Sequence, residues 1–247
     1  DSIWVYDHFH TTPQPTDEAT HEAWTLMAAL AASTSRVRLG QMCTCMGYRN
    51  PALLAKIAAT VDLISGGRLE FGIGAGWYEH EWRAYGYGFP GVGDRISALR
   101  DGVQIIQRLW AEGEATLESQ TFSVDGAICR PQPLQRGRDG RPRIPTWIAG
   151  GGEQRTLRYA AKWADATNFG GSPEQFARKR DVLLGHLDKE GRDPAEVTLI
   201  AVSKQQPEER IDAALADVRA GKGGVVPKSW LPTTFSVVNE KAKNSCL

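Results

Sequence analysis

The sequence predicts an α/β fold closed as a TIM-type (β/α)8 barrel, and three observations carry that expectation. Short apolar runs of strand length alternate with amphipathic helical stretches seven times along the 247 residues. The strand-like runs are apolar on both faces, as expected of parallel strands covered on two sides. No G-x-G-x-x-G opens a helix after the first strand, so the doubly wound, dinucleotide-binding alternative loses ground. The barrel then requires a first strand and helix ahead of Asp1, and this first βα unit is expected to be missing.

The elements follow in order. "SIWVY" (2–6) reads as a buried strand ending at Asp7 and His8. "HEAWTLMAALAAST" places Trp24, Met27, Ala28 and Ala31 on one helical face. "VRLGQMC" (37–43) is a second strand. "RNPALLAKIAATVDLISGG" carries Asn50 as N-cap, Pro51 as first helical residue and Gly66 at its close. "LEFGIG" is a third strand, and 95–110 a long helix bearing Ile96, Leu99, Val103, Ile106 and Trp110.

Between 111 and 144 the rhythm breaks into a hairpin and a Pro/Arg/Gly-rich excursion without helical period, read as an insertion over one face of the domain. Alternation then resumes: "PTWIAG" (strand), 153–163 (helix), "DATNF" (strand), 173–190 (helix), "EVTLIAVS" (strand), 208–220 (helix) and "GGVV" (the start of a last strand). One barrel domain is expected over 1–227. An atypical C-terminal tail follows over 228–247, where Pro232 and the lack of apolar period fit no βα unit.

Composition excludes several partners. With 29 basic and 29 acidic side chains the net charge is zero, so no field favours nucleic acid or an anionic membrane. No apolar run is long enough to span a bilayer. The 4 cysteines lack a disulfide or zinc spacing and are expected to be reduced and structural, in a cytoplasmic protein. No metal-ligand cluster is visible, and the expected partner is a small-molecule substrate.

In a parallel barrel, functional residues gather where strands end. Asp7 and His8, Met42 to Cys45, Gly74 to Trp77, Gly150 to Gly152 and Asn168 all fall there. His8 suits general acid or base work, against the plain reading of a packed loop histidine. "GIGAG" either makes a tight turn for packing or lets a flat ring approach the backbone. "GQMCTCMGYRNP" reads as a bulge pressed against a ring, or equally as a simple strand-to-helix connection. "IAGGGEQRT" leads from a strand into a helix with Glu153 and Thr156 in its first turn. Free N–H groups at such an end make an anion site, with Arg155 and Arg158 as support.

The segments "DSIWVYDHF", "HEAWTLMAALAAST" with "RVRLG", "YRNPALLAKIAATVDLISGGRLEFGIGAGWYEHEWRAYGYGFP" and "IPTWIAGGGEQRTLRYAAKWADATNF" resemble the bacterial luciferase-like superfamily, and within it the oxidoreductases that use the deazaflavin coenzyme F420. The resemblance implies a TIM barrel with an insertion. It implies His8 as acid–base near the reactive ring centre, with Asp7 beside it. Behind the ring it implies a bulge, often with a non-proline cis peptide, near Met42 and Cys43. Gly74, Ala75 and Gly76 would line the ring, and Gly150, Gly151, Gly152 and Thr156 would hold the cofactor phosphate. Trp77, Tyr78 and Trp82 would wall the substrate side. Family members that oxidise sugar phosphates carry a glutamate where this chain has Trp77, which argues against sugar oxidation; Glu79 and Glu81 stand nearby as substitutes.

The expected catalytic residues are therefore His8, Asp7, Trp77 and Glu81. The expected activity is F420-dependent hydride transfer to or from a small organic substrate. Two alternatives stand beside it: an FMN-dependent monooxygenase, and a non-catalytic barrel that holds flavin or F420. The resemblance also implies outer helices that pair into a homodimer.

Overall fold

The computed structural model describes residues 2–202. The helix expected over 208–220, the strand at 223–226 and the tail 228–247 lie outside the described residues. Two compact units are distinguished, Ser2–Thr146 and a second from Trp147 onward.

In the first unit, β1 (Ser2–Val5), β2 (Arg38–Gln41) and β4 (Leu69–Gly74) are parallel neighbours. β3 (Thr44–Cys45) also pairs with β4, its Thr44 opposite Ile73. All six residues of β4 are buried, as a parallel strand with both faces covered demands. Gly72 permits the close approach of β2. A Cβ there would lie 1.9 Å from the Gln41 carbonyl oxygen, an atom of the backbone that cannot swing aside. Gly72→Ala is accordingly expected to destabilise the protein by about 3 kcal/mol, the upper part of the overpacking range. A lowered denaturant midpoint at unchanged m-value would show it.

Helices cover the strands. α1 (Ala23–Ser33) buries Trp24, Met27 and Ala31, while Ala28 is only half-buried. α2 (Pro51–Ser65) begins and ends as its sequence announces. Asn50 Oδ1 accepts from the N–H of Ala52 at 2.9 Å, and Gly66 closes the helix at φ 68°. α3 (Glu79–Ala84) is a short helix after the glycine turn. α4 (Val92–Glu112) starts three residues before the expected 95, because the carbonyl of the N-cap Gly91 already accepts from the N–H groups of Asp94 and Arg95. Gly113, at φ 79°, ends it.

The 111–144 stretch contains the expected antiparallel hairpin, β5 (Glu114–Glu118) with β6 (Ser123–Ile128). Its continuation is pinned to α2 by one buried carboxylate. Asp62 Oδ2 accepts from the N–H groups of Leu134 and Gln135, and Oδ1 from Gln135 Nε2 at 2.8 Å. Gln135 Nε2 also donates to Leu69 O, at the start of β4. The excursion thus packs on the N-terminal edge of this strand, away from the end that carries the site.

In the second unit, β7 (Thr146–Ala149), β8 (Ala166–Gly170) and β9 (Thr198–Val202) run parallel in that order. α5 (Thr156–Trp163) and α6 (Pro173–Lys189) connect them. Ser172 and Gln175 close a reciprocal capping box at the start of α6. No described helix is long and apolar enough to cross a membrane.

Candidate active site

The chain leaves β1 at Val5 and places Tyr6, Asp7 and His8 at its C-terminal end. Asp7 is buried and both its oxygens are engaged. Oδ2 accepts from the Cys45 N–H at 2.9 Å and from Arg49 Nη1 at 2.7 Å; Oδ1 accepts from Arg49 Nη2 at 2.9 Å. Arg49 Nη2 also reaches Glu22 Oε1 at 2.5 Å. Burial alone would depress the Arg49 pKa, but its bonds and charge contacts with Asp7 and Glu22 outweigh burial and raise it. Asp7 thereby joins the end of β1, the end of β3 and the entry to α1. Its carboxylate serves this anchorage and makes no bond to His8 among the described residues.

His8 faces Glu81 instead. Glu81 sits in the first turn of α3 with its side chain fully buried, and four donors converge on it. Oε2 accepts from His8 Nδ1 at 3.0 Å and from the Tyr48 hydroxyl at 2.6 Å. Oε1 accepts from the N–H of Phe9 at 2.5 Å and, more weakly, from that of His10 at 3.4 Å. Burial would raise the Glu81 pKa, yet the bonds from His8, Tyr48 and Phe9 together lower it. An ionised carboxylate only accepts, so His8 Nδ1 carries the proton and Nε2 is the free ring atom. Nε2 has no hydrogen bond to a described residue, and the His8 side chain keeps 18% of its surface exposed. Burial, with the Glu81 bond next, pushes the Tyr48 hydroxyl pKa far up, which keeps it a donor.

The lowered Glu81 pKa makes a stability prediction. A carboxylate with a lower pKa folded than unfolded contributes stability above its unfolded value. That contribution is lost as pH falls from there through the folded value. The stability gap between the native protein and Glu81→Gln should therefore be widest at neutral pH and close on acidification. Denaturant unfolding across that range measures it; a gap independent of pH would contradict the assignment.

Aromatic rings surround His8. Tyr6 lies 5.4 Å away by ring centroids, Trp77 5.9 Å and Tyr78 5.8 Å. Tyr78 is buried, and its hydroxyl donates to Pro13 O at 3.1 Å, pinning the loop after His10. Trp82, expected on the substrate side, is instead buried against Tyr48 and Phe89. The reason is steric: its ring occupies the space that side chains on Gly47 and Gly76 would fill. His80 is exposed and stacks on Tyr78.

A non-proline cis peptide joins Met42 to Cys43, where the strand is interrupted between β2 and β3. Cys43, Cys45 and Cys129 form no disulfide among the described residues. In the turn after β4, Gly76 adopts φ 78°, and a Cβ on it would lie 2.5 Å from Cys45 Sγ. Gly76 is therefore required by packing as well as by conformation. The buried donors that lack a described partner include Gln41 Nε2, on the last residue of β2, and Trp82 Nε1, against Gly76.

In the second unit, Gly150 follows β7 at φ 115°, and its N–H donates to Asn168 O at 3.0 Å. The helix begins at Thr156, so Glu153 lies in the preceding turn and not in the first helical turn. There it pairs with Arg178 at 2.5 Å. Arg155 occupies the N-cap without a capping side chain, leaving the first N–H groups of α5 without one. The arginines expected to support an anion lean elsewhere. Arg155 Nε donates to the Tyr159 hydroxyl, and Arg158 lies over the Tyr159 ring. Lys179, on α6, is the cation at the turn: its Nζ lies 2.6 Å from where a Gly151 Cβ would stand. Neither Lys179 nor Tyr48 stands out in the sequence. Tyr48 had the weak signal of following the interrupted strand; Lys179 had none.

A family model for luciferase-like monooxygenases matches residues 1–244. The pyrimidine monooxygenase RutA of Agrobacterium fabrum is 31% identical over 208 residues, 81% of this chain and 54% of its own length. An F420-dependent glucose-6-phosphate dehydrogenase of Amycolatopsis mediterranei is 30% identical over 209 residues, 83% of this chain and 58% of its own. The chain thus spans little more than half the length of these curated relatives. Among solved structures, an F420-dependent secondary alcohol dehydrogenase in complex with an F420-acetone adduct superposes with a TM-score of 0.70 at 21% identity, covering 86% of this chain and 64% of that one. That likeness shows the fold, an α/β TIM barrel of luciferase type. On the match over nearly its whole length, this chain belongs to the luciferase-like monooxygenase family.

Proposed function

We propose that the protein is an F420-dependent oxidoreductase that exchanges hydride between the deazaflavin and a small organic alcohol or carbonyl compound. The carrying observation is His8, with Nδ1 held by ionised Glu81 and Nε2 free at the C-terminal end of β1. The structure fits a ring of this kind. Gln41 Nε2 and Trp82 Nε1 are buried donors without described partners, suited to the carbonyl and ring-nitrogen acceptors of a flavin or deazaflavin. Met42, Cys43, Gly74, Ala75 and Gly76 would hold the ring. In the second unit, the Gly150–Gly152 turn, Thr156 and Lys179 suit a phosphate, since the α5 N-terminus lacks a side-chain cap.

When bound, the deazaflavin supplies a ring carbon that accepts or returns hydride and reacts poorly with oxygen. The chain supplies the rest. In oxidation His8 Nε2 takes the hydroxyl proton as the carbinol carbon loses hydride, and the imidazolium is stabilised by Glu81 3.0 Å away. In reduction the same atom returns the proton. Tyr48 and the Phe9 N–H hold Glu81 ionised and fix its orientation, so the His8 tautomer does not drift. Asp7 contributes by anchoring the strand end that carries His8.

A second reading, FMN-dependent monooxygenation, draws on the 31% identity to RutA. Fluorescence titration with F420 and with FMN separates the two. Preference for F420, without oxygen uptake on turnover, supports hydride exchange. Preference for FMN with oxygen uptake supports the monooxygenase. Binding of neither overturns both.

A further inference from the structure

We propose that the substrate of this site is an uncharged molecule whose reacting carbinol or carbonyl carbon bears a flat aromatic ring, seated against Trp77 and Tyr6. The proposal rests on the hydride-exchange reading above and adds the substrate class to it.

The exposed edge of His8 is flanked by two large rings left open to solvent. Trp77 is 61% exposed and Tyr6 51% exposed, although each lies within 6 Å of the His8 ring by centroids. Trp77 is backed by Tyr78 at 5.2 Å, which gives it a fixed support. Exposed apolar surface gathered around an accessible proton-transfer atom marks a binding wall. Flat rings gain most there, through offset or edge contacts with the two walls.

Charge argues in the same direction. The carboxylate nearest His8 is Glu81, buried and ionised, and it sets a negative potential behind the imidazole. The described cations on neighbouring elements of the first unit are committed elsewhere. Arg49 is bound to Asp7 and Glu22, and Arg83 to Glu79. Arg95 lies over the Phe89 ring and donates to Gly76 O and Pro90 O. Among the described residues of the first unit, a phosphorylated substrate would meet aromatic faces and a buried negative charge in place of a cation, and would lose its hydration without compensation. A neutral aryl carbinol loses little. Its C–H leaves as hydride to the cofactor, its O–H proton goes to His8 Nε2, and an aryl ketone remains; the reverse transfers reduce the ketone.

Calorimetric titration of the cofactor-loaded and cofactor-free chain with acetophenone, acetone and glucose 6-phosphate tests the assignment. Acetophenone is expected to bind at least about tenfold more tightly than acetone, with glucose 6-phosphate weaker than either. Trp77→Ala should cost acetophenone about tenfold, and Trp77→Phe should restore most of it, because a ring is again present. Glucose 6-phosphate binding as tightly as acetophenone, or acetophenone affinity unchanged in Trp77→Ala, would overturn the substrate class. Cofactor titration is read separately. Its failure condemns the hydride-exchange reading, whereas the cofactor-free calorimetry still judges the aromatic wall.

Discussion

If the protein exchanges hydride as proposed, His8→Asn is expected to lower the rate of alcohol–carbonyl exchange by about 10²–10⁴-fold, the usual range for loss of a positioned acid–base group. Asparagine is the informative choice. Its amide can take the place of Nδ1 and donate to Glu81 Oε2, so the carboxylate keeps its partner and the loop its geometry. What it lacks is an atom at the Nε2 position. The expected signature is a fall in the single-turnover rate with cofactor affinity retained within about threefold, because on this reading His8 moves a proton and does not hold the ring. A variant as fast as the native protein would remove His8 from the chemistry. It would also favour the non-catalytic, cofactor-holding alternative.

The second large effect is on stability. Asp7→Ala leaves the Arg49 guanidinium buried without its bidentate partner and the Cys45 N–H without an acceptor. Breaking a buried pair from one side costs about 3–5 kcal/mol. The lower part of that range is expected here, since Arg49 keeps Glu22. Removing both charges should cost less than removing one, so Asp7→Ala combined with Arg49→Met is expected to recover part of the loss. Chemical denaturation of the single and double variants measures this. If the double variant is less stable than Asp7→Ala alone, the pair is not the cause.

The two predictions give different work to neighbouring residues. Both stand at the end of β1 and both are chemically capable of proton transfer. Asp7 faces the backbone of β3 and the guanidinium of Arg49, whereas His8 faces Glu81 and the solvent edge. Asp7 and His8 lie in the loop just past β1, and the partners that meet each of them there separate the anchor from the proposed acid–base group.

Much of the fold was legible in the sequence. The strands show as short apolar runs, and the Asn50 cap, Pro51 at the first turn, Gly66 at the close of α2 and the hairpin after 111 rest on contacts close in sequence. Such signals depend on local dihedral preferences and apolar period, which a linear reading captures. The start of α5 was misplaced. Three glycines impose no dihedral preference of their own, and Arg155 as N-cap has no capping side chain to announce it.

For the site, strand ends indicated where His8, the glycine turns and the Met42–Cys43 interruption would lie, since parallel α/β architecture gathers such positions at one end of the strands. The partners were decided by tertiary structure alone. Glu81 reaches His8 across 73 residues of chain, Tyr48 reaches Glu81 across 33, and Arg49 reaches Asp7 across 42. No local pattern encodes which of Glu79 and Glu81 turns inward, or that Trp82 fills the space beside two glycines while Trp77 stands exposed. Those outcomes depend on three loops meeting with the steric room and the donors that a buried carboxylate requires. The sequence by itself determined the elements and the end of the sheet where chemistry is possible. The packing of distant loops determined which side chain meets Glu81, which meets Arg49 and which is left exposed at the end of the sheet.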